Sequence, residues 1–156
     1  MLAMVLFGVG EILGGFFIGF FIDKFSSRFA VMINLVLIVV MGGVTLLFIN
    51  QFSYNFLAFL MCFLWGFQDS AVHTHTFEIL GFQFEDNYTP FSLFGIIESL
   101  GCFICQLIVA NLKSQSEFST YTIAQTIVAL VFCSITFFFP FRKEEKDQQY
   151  ASVNHH

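Results

Sequence analysis

Five long apolar runs, joined by connections too short to hold more than turns, constrain this chain more than any other feature. Read with a window of about 19 residues, they fall at Met1–Ile22, Phe29–Ile49, Tyr54–Leu80, Pro90–Asn111 and Tyr121–Phe141. A helix needs about 20 residues to cross roughly 30 Å of hydrocarbon, and a backbone in lipid must satisfy its own N–H and C=O groups. The runs therefore predict five transmembrane helices. Composition excludes a watery core: 57% of the residues are hydrophobic and 11% charged, against about 25% charged in an ordinary soluble domain. The expected fold class is all-α, a polytopic membrane helix bundle over residues 1–141. A flexible tail follows over 142–156, where the sequence RKEEKDQQYASVNHH is charged and lacks apolar periodicity.

Several function classes drop out on the same grounds. A net charge of −5 with six Lys and Arg and no basic patch excludes nucleic acid as a partner. The four cysteines, at 62, 102, 105 and 133, sit inside apolar runs, which argues against a secreted disulfide scaffold. The first run has no basic leader and contains Glu11, so it reads as a span rather than a signal peptide.

The basic residues set the orientation. Lys24 and Arg28 in the first connection share a side with Arg142, Lys143 and Lys146 in the tail, leaving only Lys113 opposite. The side with the basic excess is expected to be cytoplasmic, which puts the C-terminus there. Gly81 is expected to cap the third helix in a left-handed conformation, and Thr89-Pro90 to supply the N-cap and first position of the fourth. The sequon Asn87-Tyr88-Thr89 falls on the cytoplasmic side and is expected to stay unglycosylated.

Ionisable residues inside spans cost about 2.5–3.5 kcal/mol each for Asp, Lys or Arg at a helix centre, so each demands a reason. Trp65, Asp69, His73 and Thr76 recur at helical spacing and form one stripe on the third span. Asp69 and His73, one turn apart, make either a proton-sensitive pair facing the bundle interior or a structural pair that packs helices together. His75 lies on another face, so a two-histidine metal site within this helix is not expected. Glu78, near the helix end, can reach water. On the fourth span Glu98 shares a face with Gly95, Cys102 and Cys105. The first span carries Gly10/Gly14 and Gly15/Gly19 as small-xxx-small pairs around Glu11, the signature of close helix approach. No catalytic set, metal spacing or cofactor motif is present, so neither an enzyme nor a cofactor is expected.

Two stretches resemble a transporter superfamily. Gly19-Phe-Phe-Ile-Asp23-Lys24-Phe-Ser-Ser-Arg28 resembles the cytoplasmic G-x-x-x-D-[RK]-x-G-R-[RK] loop of the major facilitator superfamily, with Ser26 and Ser27 replacing its Gly and one basic residue. Gly8-Val-Gly-Glu11-Ile-Leu-Gly-Gly and Gly66-Phe-Gln-Asp69-Ser-Ala-Val-His73-Thr74-His75 are similar to segments of its Unc-93-like branch, where the positions of His73 and His75 usually carry amides. Phe91-Ser-Leu-Phe94 with Glu98-Ser99-Leu-Gly101 is similar to the following span. The resemblance implies a partial major facilitator fold corresponding to spans eight to twelve of a twelve-span transporter. On that mapping the missing N-terminal helices or a partner membrane protein complete the site, and the ligand is a small solute or proton. The residues implied for a central cavity are Asp69, His73 and Glu98, with Glu11 behind them; Gly19, Asp23, Lys24 and Arg28 form the loop motif. The branch also implies an alternative, a non-transporting regulator or chaperone of a channel or receptor.

Overall fold

The computed structural model describes residues 1–84 and 88–138, the side chain of Gln83 excepted. They form five helices in chain order: α1 (Leu2–Lys24), α2 (Ser27–Gln51), α3 (Phe56–Gln83), α4 (Tyr88–Asn111) and α5 (Gln115–Phe137). At 1.5 Å per residue they run roughly 34–42 Å, enough to cross the hydrocarbon of a bilayer. All five are long and apolar enough to do so, and no strand occurs among the described residues. The tail over 142–156, the last three residues of the expected bundle and Asn87 of the sequon lie outside the described residues.

Local chemistry explains where the helices begin and end. Ser26 opens α2, its hydroxyl accepting from the Phe29 N–H at 3.3 Å; Asn55 opens α3, its Oδ1 accepting from Leu57 at 3.0 Å. Helix α5 starts six residues before the apolar run at Tyr121, because Ser114 and Glu117 form a capping box. The Ser114 hydroxyl accepts from the Glu117 N–H, and the Glu117 carboxylate accepts from the Ser114 and Lys113 N–H groups.

Two expected boundaries are corrected. Gly81 does not cap α3: the helix continues through it to Gln83 and leaves by an extended Phe84, and no glycine among the described residues has positive φ. A glycine ends a helix only when the chain reverses there, and here it runs on. Thr89 and Pro90 sit inside the first turn of α4, which begins at Tyr88. Proline is tolerated there because the first four N–H groups of a helix have no partner within it.

Helix α3 is the organising element. Along α1 it makes a seam with almost no side-chain spacing: a Cβ on Gly10 would run into the Phe63 carbonyl, one on Gly14 into the Phe67 carbonyl, and one on Gly66 into the Phe7 carbonyl. The Gly10/Gly14 pair thus does what its spacing predicts, and Gly66 answers it from the other side. Of the second pair, Gly15 faces Ser70 whereas Gly19 faces open space. Ile18, Ile22, Ala30 and Ala71 close the core where α1, α2 and α3 meet. Helix α5 packs on α2 through Thr126 against Gly42, and the Gln115 amide donates to the Ile49 carbonyl at 2.6 Å. No residue of α4 is buried among the described residues.

Candidate polar site within the bundle

Helix α3 places its polar residues on two adjoining faces. One turns to α4. His73 presents Nε2 to Glu98 Oε1 at 2.5 Å and Nδ1 to Asp69 Oδ2 at 3.5 Å. The imidazole thus stands between two carboxylates, one a turn before it on α3 and one on the neighbouring helix. Around it the rings of Phe77, Phe91 and Phe94 pack at centroid separations of 5.5–6.0 Å. The carboxylate–imidazole–carboxylate chain is therefore flanked by apolar rings, although His73 keeps 30% of its side-chain surface accessible.

The other face lines a cavity of about 390 Å³ between α2, α3 and α5. Trp65, Asp69 and Thr76, three of the four stripe residues, line it; the fourth, His73, turns instead toward α4. A helical stripe about 100° wide spans two neighbours, which is how one row of residues serves both sites. Asp69 belongs to both. Asn34 from α2 and Gln68 from α3 also line the cavity, and their amide oxygens are buried with no hydrogen-bond partner among the described residues.

A third polar cluster ties the start of α2 to the end of α3. Buried Ser27 donates through its hydroxyl to the Glu78 carboxylate, whose two oxygens lie 3.0 and 2.9 Å away. His75, 5% exposed, hydrogen-bonds to the backbone of Ser27. Glu78 therefore does more than reach water from a helix end. Sequence reasoning left this latch out because a serine in a loop motif carries no signal of a partner 51 residues away.

Of the expected cavity residues, the structure brings Asp69, His73 and Glu98 together and leaves Glu11 apart. Glu11 is half-buried on α1 and makes no hydrogen bond or ion pair among the described residues. In the loop motif, Gly19 sits on α1 in open space, Asp23 and Arg28 are exposed at the α1–α2 corner, and Lys24 extends over the Phe20 and Phe25 rings at 5.4 and 5.7 Å. Asn34 and Gln68 were missed. The signal that finds them is an amide in the middle of an apolar run, which costs energy in lipid as an ionisable group does. Among the described residues no group of three or more His, Cys, Asp or Glu is arranged to hold a metal ion. No family model, curated protein or solved structure matches the chain.

Proposed function

We propose that the chain is the C-terminal part of an Unc-93-like membrane protein of the major facilitator superfamily, a solute transporter or a protein descended from one, with its C-terminus in the cytoplasm. The observation that carries the reading is the Asp69–His73–Glu98 chain, which links two membrane-spanning helices through an imidazole set between two carboxylates. Ionisable residues within spans characteristically mark proton and substrate pathways. The imidazole can pass a proton between the two carboxylates while each of its nitrogens keeps a partner. A rocking motion that separated α3 from α4 would break the His73–Glu98 contact and leave Glu98 to exchange its proton with water. Coupling of that kind needs the helices of a second half, which the missing N-terminal spans or a partner would supply.

The alternative, a regulator or chaperone of another membrane protein, is favoured by one feature: α4 and α5 have no buried residue and so leave long faces uncovered. One experiment separates the two. The full-length protein is reconstituted in vesicles holding a pH-sensitive dye, and proton entry is followed under an imposed potential. Proton entry that falls at least tenfold with Glu98→Gln and with Asp69→Asn supports transport. Entry that is unchanged in both variants removes the assignment of these residues. No entry at all, with a channel or receptor co-purifying, supports the regulator.

A further inference from the structure

The α2–α3–α5 cavity is furnished differently from a packing defect. Voids left by imperfect packing are lined by apolar groups and stay dry. This one has unmatched hydrogen-bond acceptors on the residues that form its wall. Asn34 is 2% exposed, and among the described residues its Oδ1 is left without a donor; Gln68 Oε1 is buried and equally unmatched. The second carboxylate oxygen of Asp69, Oδ1, also makes no hydrogen bond among the described residues, its Oδ2 being the one that faces His73. Leaving a buried acceptor unmade is costly, and the residues lining this cavity hold two.

Three unmatched acceptor oxygens belong to residues lining one cavity, and a ligand that brings donors matches them. The charge balance decides which kind. Asp69 and His75 are the titratable residues of the lining and no lysine or arginine joins them; an ionised Asp69 beside a neutral imidazole leaves the site negative, and a cation satisfies it best. A bare metal ion fits poorly, since one carboxylate and two amides fall short of the six oxygen ligands that hard cations take. The rest of the lining is apolar, with Ile38, Met41 and Phe132 among it, and Trp65 adds the ring that attracts cations most strongly. At about 390 Å³ the space falls in the range of small-molecule sites.

We propose that this cavity binds a small organic ammonium: its N–H groups donate to Asn34, Gln68 and Asp69, and its hydrocarbon body lies against the apolar wall. The proposal concerns occupancy alone and does not depend on the chain moving a solute.

Trp65 is the only tryptophan and lines the cavity, so its emission reports occupancy directly. The full chain in lipid nanodiscs is titrated with 2-phenylethylammonium and, in parallel, with 2-phenylethanol, which has the same body without the charge. Binding of the ammonium is expected to saturate, with a half-point at least tenfold below that of the alcohol. Asn34→Leu and Gln68→Leu are each expected to raise that half-point at least fivefold while the chain melts no lower, because each removes an unmatched buried oxygen. Should either leucine variant fail to fold, Gln68→Glu carries the test: a second carboxylate is expected to tighten ammonium binding at least fivefold and to leave the alcohol unaffected. Equal half-points for ammonium and alcohol overturn the proposal. So does a response to the ammonium that stays the same in Gln68→Glu.

Discussion

Two of the neighbours of α3, α1 and α4, are held in opposite ways. Along α1 the contact is backbone against backbone, with Gly10, Gly14 and Gly66 each lacking room for even one carbon atom. Along α4 it is side chain against side chain, a cluster of rings and the His73–Glu98 contact, and nothing on α4 is buried among the described residues. In lipid, where burying apolar surface gives helices little reason to associate, close van der Waals packing is a firm attachment. A polar tie is a different kind, because it can exchange a proton. On that contrast α1 and α3 are expected to move as one body, and α4 is expected to shift when the tie gains or loses a proton.

The largest effect is expected where the firm contact is broken. Gly14→Leu drives a side chain into the backbone of α3, which cannot swing aside as a flexible side chain would. Overpacking a core costs about 1–3 kcal/mol when neighbours can adjust, and this seam has little room to adjust, so the cost should reach the top of that range or exceed it. In detergent the variant should melt at least 10 °C lower than the unaltered chain or fail to be recovered folded. A melting temperature within 2 °C would mean that α1 and α3 do not meet at these glycines.

A smaller and more selective effect is expected on the other side. Glu98→Leu removes the polar tie and keeps the bulk, and interhelical hydrogen bonds in membranes are worth about 0.6–2 kcal/mol. The melting temperature should therefore fall only slightly. What should change is the position of α4: spin labels at exposed Ser99 on α4 and Leu47 on α2, in a background without native cysteines, should show a broadened distance distribution. The same label pair in Gly15→Ala, whose new methyl group meets only the Ser70 and Thr74 hydroxyls, should keep its distribution. If Glu98→Leu leaves the distribution as narrow as before, the aromatic cluster alone positions α4 and the histidine has no hold on it.

These contrasts show how much of the molecule the sequence displays. The five spans, the short connections and the Gly10/Gly14 contact are readable because each arises from local spacing: lipid forces every backbone group into a helix, and glycines four apart share a face. The Asp69–His73 pair is readable for the same reason. Its continuation to Glu98 is not, since nothing in the order of residues says which face of α4 meets α3. The ends of helices mislead in both directions. Ser114-Gln-Ser-Glu117 carries a full capping signature before a stretch too polar to register as a span, so α5 starts earlier than hydropathy suggests. Gly81 offers the conformational freedom of a cap without the chain reversal that would use it. The cavity is hidden altogether, because Asn34 and Gln68 become informative only when two helices bring their unmatched oxygens into one space.

The smallest effect sharpens the comparison most, because it asks whether the firm seam is a property of α1 as a helix or of one face of it. Gly8 lies two residues from Gly10 on the same helix, yet a Cβ there meets nothing within 4 Å. Alanine is favoured over glycine in a helix interior by about 0.8–1.0 kcal/mol, so Gly8→Ala should leave stability unchanged or raise it by less than that amount. Gly10→Ala places the same methyl group against the Phe63 carbonyl and should lower stability despite the identical gain in helix propensity. The two variants differ only in which way the new carbon points, and their melting temperatures should move in opposite directions. If both rise, the seam is looser than its geometry and α1 is free to slide on α3; if both fall, the whole helix is covered, and a partner lies against the face that carries Gly8.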